Sequence, residues 1–527
     1  MAFKPMKVQV QEQIVNSFTP TDEQVNIKDI VLQGKNIKVI AGAGSGKSST
    51  LRYIAQVIPE KIFLALCFNT ANAKESNEHR DKPDNIVYST GHSIAYRRLI
   101  DYTFKKKLQE WLDYRDLEYY DMYSLWGEEK VNQLTKAVLN CITWFCRSDK
   151  KMIQSFAETF FRNYTENPEN DIILLNKEIR LLSDITKLYW EKLIDKQSAA
   201  RITPDVYLKL YDLEKHLITE VYDPKTKSYI VPDVIFLDEA QDTNPVMVSI
   251  FARQVQQKGL VGDPMQQLYE WRGAGRAMDD FEDYKLGYLT ESFRFNSEIA
   301  HYANTVLSKA GSSMQLIGSS KKNTIETKAH LCRTNAAVLS KISTFIGTNI
   351  KVYTSIDLKN TFSKLYHMQS CFFNEKPMYP CKELSNITDR VSLEKAVRFS
   401  EELSRLEKLG ANIRKQGENL TSIKKKLEAI IVKNPSDADI VITTIHAAKG
   451  MEYDQVTIDE DFINQEEEET YEEMLERLWS TNSLCCLLYV AITRARVVAY
   501  VPEVLESTFE KEELKLLETI FKEEELL

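Results

Sequence analysis

The stretch Asn36–Thr50, NIKVIAGAGSGKSST, restricts what this chain can fold into more than any other. An apolar β-type run (Ile37, Val39, Ile40) breaks into the turn Ala41-Gly42-Ala43-Gly44-Ser45-Gly46, and Lys47-Ser48-Ser49 then opens the helix-forming TLRYIAQVI. Strand, glycine-rich loop and helix in that order make a phosphate cradle. Without bulky side chains, the backbone N–H groups of Ala43 to Ser49 can converge on a phosphate at a helix N-terminus. Lys47 then supplies a point charge to the β- and γ-oxygens and Ser48 a hydroxyl to Mg²⁺. Ala41 stands where the first glycine of G-x-x-x-x-G-K-[ST] is expected, so the fit is good but not complete. The loop reads as a site for ATP or GTP.

A chain of 527 residues exceeds what one core organises, so two or more domains are expected. Its 68 basic residues are outnumbered by 77 acidic ones, a net charge of −9, which excludes a protein coated in basic surface. Any polynucleotide would have to be held in a local groove. The eight cysteines include no pair with metal-ligand spacing and read as buried thiols in a reducing compartment. The N-terminal MAFKPMKVQVQEQ lacks an apolar signal core and no uninterrupted apolar run approaches a membrane span. The expected location is cytoplasmic, nucleoid-associated, or nuclear in a eukaryote.

Thr21 with Gln24 three residues on fits a capping box, while the Gln24 amide could equally read an adenine edge. Buried strands are predicted at Lys61–Phe68 and Ile86–Ser89, followed by small polar turns at Asn69-Thr70 and Thr90-Gly91-His92. Such turns at strand ends are where an open α/β sheet places ligand contacts. From about 94 to 229 the texture is helical and aromatic, an insertion whose rings read mostly as core. The sheet resumes at Val234–Leu237 and runs into Asp238-Glu239-Ala240-Gln241-Asp242. Two acids at a buried strand end are costly unless a cation or a proton transfer uses them, so Asp238 is assigned to Mg²⁺ and Glu239 to the attacking water. After a strand at Leu260–Gly262, Asp263 to Ala274 offers amides such as Gln266 for a γ-phosphate. In the same segment Tyr269 and Trp271 form a base-stacking pair or core. Further strands are predicted at Ala329–Arg333, Asp439–Thr444 and Val497–Val501. Between the first two lies a polar helical insertion from about 353, and the acidic loop Asp459–Glu469 reads as surface.

The ordered series AGAGSGKSS, CFNTANAKE, TGHS, LDEAQD, VGDPMQQLYEWRGA, ESFRF, TTIHAAKGMEY and LLYVAITRAR resembles motifs I to VI, with Ia and Ib, of superfamily 1A DNA helicases, the UvrD/Rep/PcrA group. Within that group the CRTNA segment and TIHAAKGMEYDQV are most similar to F-box DNA helicases, with the helicase engine alone expected to be shared. The resemblance implies an α/β fold of two RecA-like P-loop domains, each with a mainly helical insertion. They would occupy 1–93 with 230–285, and 286–352 with 436–527, around insertions at 94–229 and 353–435. It further implies ATP with Mg²⁺ held by Ser48 and Asp238, and single-stranded and tailed or forked duplex DNA as partners. Gln24 would contact adenine, Glu452 the ribose, and Phe293, where the family usually has tyrosine, the base. Gln266 would sense the γ-phosphate, with Arg294 and Arg494 reaching it from the second domain. Phe68, His92, Tyr269, Trp271, Thr444 and His446 fall on DNA-contacting positions. Asn69-Thr70 reverses the family's order and Gly91 replaces its aromatic, which bears on the DNA contacts of the first domain.

The implied activity is an ATP-dependent 3′→5′ helicase or translocase driven by closure of the two domains. The alternatives are a single-strand translocase that strips proteins with little unwinding, and a nucleotide-gated DNA-binding switch or non-motor subunit. A nuclease fusion is not expected, because about 30 residues follow the last motif.

Overall fold

The computed structural model describes residues 19–112, 117, 128–167, 172–268, 277–377, 381–384, 387–463 and 469–510. Tyr269 and Trp271 lie outside the described residues. Along the chain, β1 (Ile37–Ala41), β2 (Phe63–Leu66) and β3 (Ile86–Ser89) are followed by a short antiparallel hairpin, β4 (Val221–Asp223) with β5 (Ser228–Ile230). Next come β6 (Val234–Asp238), β7 (Gln257–Gly262) and β8 (Lys285–Leu289). Six of these strands make one parallel sheet in the order β3-β2-β6-β7-β1-β8. After the two-residue strands β9 (Glu291–Ser292) and β10 (Ile317–Gly318), a second parallel sheet forms from β11 (Lys328–Cys332), β12 (Val352–Tyr353), β13 (Ile440–Thr444), β14 (Tyr453–Ile458) and β15 (Ala495–Tyr500). Its order is β12-β13-β11-β14-β15.

Both faces of the first sheet are covered, which is why its strands read as unbroken apolar runs instead of alternating ones. Val39, Phe236 and Val261 pack against Leu51 and Ile54 on one face; Leu64, Ile235 and Leu237 pack against Val246, Phe251 and Tyr211 on the other. β8 extends this sheet to Leu289 by pairing with β1, so the first sheet passes beyond residue 285, where the sequence suggested its end. The strand KLGYL alternates exposed and buried residues at the sheet edge, a weaker signal than the central runs.

The two helical segments between the strands differ in how they are held. Helices Glu128–Arg147, Ile153–Glu166 and Asn176–Ile194 enclose a core of their own, with Trp190 edge-on to Phe145 at 5.2 Å. Helix Pro204–Leu213 ties that core to the first sheet, burying Val206 and Leu210 on one side and Tyr207, Leu208 and Tyr211 on the other. Helices Leu358–Phe372, Arg390–Phe399, Glu401–Lys415 and Leu420–Ile430 instead share one core with Val352 and Ile442 of the second sheet, as a layer on its face.

The start of the acidic loop is interior, contrary to the expected surface. Asp461 is buried and accepts hydrogen bonds from the Arg333 and Thr334 N–H groups at 2.7 and 3.0 Å, while Asp459 pairs with His330 at 2.7 Å. All eight cysteines are buried and free, as their spacing suggested. Among the described residues no helix is long and apolar enough to cross a membrane.

Candidate nucleotide cleft and flanking grooves

The loop after β1 turns through Gly44 (φ +72°) and Gly46 (φ +78°), and Gly46 precedes helix Lys47–Val57 without any side-chain cap. The first-turn N–H groups of that helix are therefore left for an anion. Glycine has a second purpose here. A Cβ on Gly42 would lie 2.2 Å from Leu316 Cδ2, and one on Gly44 would lie 2.5 Å from Arg294 Cβ and 2.6 Å from Ser292 Oγ. The loop is thus pressed against residues that follow the first sheet, and the Phe293 N–H donates to Gly44 O at 3.0 Å. Ala43, Met265 and Leu268 are buried in the same apolar cluster as Ile299, Leu331 and Leu488, joining the loop to the second sheet's layer.

Around Lys47 the first sheet gathers acids. Lys47 Nζ is 3.3 Å from Glu239 Oε2. Burial pushes the Lys47 ammonium down, but the charges of Glu239, Asp263 and Asp238 outweigh it and hold it above its ordinary value. Burial and the neighbouring Glu239 charge raise Asp238 to about 7. Burial opposes the Glu239 charge as well, but Lys47 and Gln241 overcome it and keep that carboxylate ionised. Glu239 sits at φ 51°, ψ 47°, a left-handed conformation that a non-glycine residue rarely adopts. Its carboxylate is held by Gln241 Nε2 at 2.7 Å, and Gln241 in turn accepts from the Asp263 N–H at 3.0 Å. A strained, oriented, ionised carboxylate beside a lysine can polarise a water molecule.

Opposite lies Arg494, just before β15 and 1% exposed. Its guanidinium donates to Val490 O at 3.1 Å, Met451 O at 3.3 Å and Gln266 Oε1 at 3.4 Å, with no carboxylate ion pair among the described residues. Burial, with the Arg294 charge beside it, lowers its pKa to about 9. A buried guanidinium satisfied only by neutral acceptors is suited to an incoming anion. Gln266 bridges the cleft, donating from Nε2 to Asp263 Oδ2 at 2.7 Å while accepting from Arg494. Arg294 donates to Glu452 Oε1 at 2.7 Å and to Thr493 O at 3.1 Å; Arg496 takes the other Glu452 oxygen at 3.2 Å.

Several expected contacts are placed differently. Gln24 completes the capping box with Thr21 and donates from Nε2 to Thr50 Oγ1 at 2.9 Å; its amide faces Phe293 across Gly46. Phe293 itself is half-exposed. The Ala43 N–H, counted above among the phosphate donors, is donated to Tyr489 Oη at 3.1 Å. Glu452, the expected ribose contact, is clamped between two arginines. Three further residues enter the cleft that sequence reading left without a role: Asp263, Tyr489 and Lys449. Lys449 pairs with Asp242 and donates to Gln266 O at 2.6 Å. Lys449 and Tyr489 lie within the TTIHAAKGMEY and LLYVAITRAR motifs, but their partners in the cleft are set by tertiary contact alone.

Two grooves flank the cleft. A cavity of about 800 Å³ lies where the first sheet meets the helical insertion, lined by Phe68, Thr70, His92, Tyr96, Trp111 and Arg147 among others. His92 is 3.1 Å from Asp205, which also binds Arg147 at 3.0 Å, so this wall is tied to the insertion. A second cavity, about 350 Å³, is lined by Gln267, Leu268, Arg333, His446 and Leu487. Burial, Arg333 and Lys449 lower the His446 pKa, keeping the imidazole neutral. Thr444 caps the turn that carries His446, accepting from the Ala447 N–H at 3.3 Å. His330, Cys332 and Asp459 bring potential metal ligands within 4.8 Å, but His330 and Asp459 satisfy each other at 2.7 Å.

Comparison with known proteins matches residues 21–282 to the UvrD/REP helicase N-terminal domain. The chain is similar to F-box DNA helicase 1 of Gallus gallus, 28% identical over 92% of this chain and 49% of that protein. It is also similar to F-box DNA helicase protein 1 of Schizosaccharomyces pombe, 26% identical over 90% of this chain and 56% of that one. ATP-dependent DNA helicase PcrA of Bacillus subtilis aligns at 25% identity over 56% of this chain and 40% of its own length. The chain spans about half the length of the curated relatives it matches. With its phosphate loop, paired acids and buried arginine facing one cleft, the chain belongs to the UvrD-like superfamily 1 DNA helicases.

Proposed function

We propose that this chain is an ATP-driven motor on single-stranded DNA, moving 3′→5′ and separating duplexes, with its two sheets acting as RecA-like domains that close on the nucleotide. The observation that carries the reading is Arg494, a buried guanidinium without a carboxylate partner among the described residues, joined through Gln266 and Asp263 to the environment of Lys47. Lys47 and the loop N–H groups would bind the phosphates, Glu239 would orient and deprotonate the attacking water, and Arg294 and Arg494 would neutralise charge developing on the transferred phosphoryl group. The hydroxyl of Ser48 and the carboxylate of Asp238 are hard oxygen donors that fit Mg²⁺, which when bound neutralises phosphate charge. Phe293 and Gln24 would face the base.

Phosphate binding draws the arginines toward the loop and hydrolysis removes that attraction, so opening and closing follow the nucleotide. A strand held by Phe68 and His92 on one sheet and by Thr444 and His446 on the other would be advanced by that cycle. Tyr269 and Trp271 would stack on its bases. A base-pair step costs about 1.4 kcal/mol, within reach of one hydrolysis event.

The test is ATPase activity with and without single-stranded DNA, followed by unwinding of 3′- and 5′-tailed duplexes by wild type and Glu239→Gln. DNA-stimulated turnover and preference for a 3′ tail are expected. A turnover rate indifferent to DNA would overturn the motor, and 5′-tail preference would overturn the polarity.

A further inference from the structure

The helix Asn482–Ile492 ends two residues before Arg494 and carries Tyr489, whose side chain is entirely buried. Its hydroxyl makes two bonds across the cleft, donating to Asp263 Oδ2 at 3.2 Å and accepting from the Ala43 N–H at 3.1 Å. Asp263 Oδ2 also accepts from Gln266 Nε2 at 2.7 Å, and Gln266 Oε1 accepts from Arg494 at 3.4 Å. The Arg494 Nε closes the circuit on Val490 O, one residue from Tyr489, at 3.1 Å. One phenol oxygen thus joins the phosphate loop, the segment after β7 and the helix leading to Arg494.

We propose that Tyr489 is a positioning residue for hydrolysis, its hydroxyl fixing the distance between the phosphate loop and the Arg494 guanidinium. The Ala43 N–H is the loop's anchor, not one of its phosphate donors. The phenol supplies the acceptor that this buried N–H needs and the donor that the buried Asp263 carboxylate needs, from a ring fixed by its packing, a pairing that neither an aliphatic nor a phenyl side chain can reproduce. Because Gln266 shares Asp263 with Tyr489, a shift of the loop is passed to the γ-phosphate-facing amide and to Arg494 together. Tyr489 touches no reacting atom; it acts through Arg494.

This inference rests on the ATP-hydrolysis reading, and the test separates the two. Tyr489→Phe keeps the ring and removes only the oxygen. It is expected to lower the DNA-stimulated kcat about ten- to a hundredfold while KM for ATP and the Kd of a fluorescent non-hydrolysable ATP analogue stay within about threefold. In an Arg494→Lys background the same change is expected to cost less than about threefold more, because the group it positions is already impaired. Asp263→Asn, which weakens the acceptor without changing the ring, is expected to give the same kcat-selective loss and guards against a Tyr489→Phe protein that does not fold. A Tyr489→Phe kcat within twofold of wild type, or an equal loss in both backgrounds, overturns the proposal. Wild-type protein without any ATP turnover overturns it together with the reading it rests on.

Discussion

The first sheet places Asp238 at, and Glu239, Asp242 and Asp263 just beyond, the carboxyl ends of β6 and β7, whereas the second places Glu452 and Arg494 just before the amino ends of β14 and β15. Each arrangement alone is electrostatically poor. Burial, with the neighbouring Glu239 charge, raises Asp238, and Arg494 is lowered by burial with no carboxylate paired to it among the described residues. Facing each other, they define a space with a metal-seeking wall and an anion-seeking wall. On the proposed reading the amino ends of the second sheet would face the nucleotide, leaving the carboxyl end of β13, with Thr444 and His446, for a different ligand. Two sheets of one construction can thus serve two substrates if they meet with opposite ends.

The strongest challenge to this contrast is Arg494→Ala. If the second wall acts on the transition state, kcat for ATP should fall about 10³- to 10⁵-fold with the thermal midpoint recorded as a folding control; a change in KM alone would reduce Arg494 to a ground-state contact. Next is Glu239→Gln on the first wall, expected to cost about 10²- to 10⁴-fold in kcat while fluorescent-nucleotide binding persists. Loss of binding instead would make Glu239 a cradle residue.

Gly44→Ala addresses the contact between the walls. Its φ of +72° and the 2.5 Å approach to Arg294 Cβ leave no room for a methyl group, so urea denaturation should show a loss of about 1–3 kcal/mol. An unchanged stability would mean that the loop does not depend on its seat against Arg294.

The smallest effect is on pH. Asp238 and Asp242 are raised to about 7 and about 6, mainly by burial. The folded protein then holds protons that the unfolded chain has already released above about pH 4. These groups therefore stabilise the metal-free protein at low pH, and that contribution disappears as pH rises through 6 and 7. Thermal melts without metal should shift downward over this interval. Asp238→Asn should flatten the shift, and Mg²⁺ should restore stability at pH 8 in wild type but less in the variant. A rise in stability over the same range would show that the acids are not held protonated.

Sequence reading reached far into the first sheet because its signals are local: an apolar strand, then a loop or an acid pair whose cost needs a ligand. Lys47, Asp238, Glu239 and Gln266 fall together as their motifs suggested. It was less informative where a side chain has two uses. Gln24 could cap a helix or read adenine; in the structure its amide completes the cap with Thr21 and donates to Thr50, and the proposed base contact is a further use of the same group. Glu452 lies next to both Arg294 and Arg496, partners 158 and 44 positions away in the chain, which no spacing rule brings together.

By itself the sequence determined the phosphate loop, the buried acids, the parallel strands and the family, because apolar periodicity and glycine placement act within a few residues. Tertiary structure alone decided that Ala43 meets Tyr489, that Asp242 meets Lys449 and that the buried Arg494 meets Gln266. Those outcomes depend on how two separately formed sheets dock. Docking is set by the summed packing of surfaces distant in the chain, so no short stretch records it.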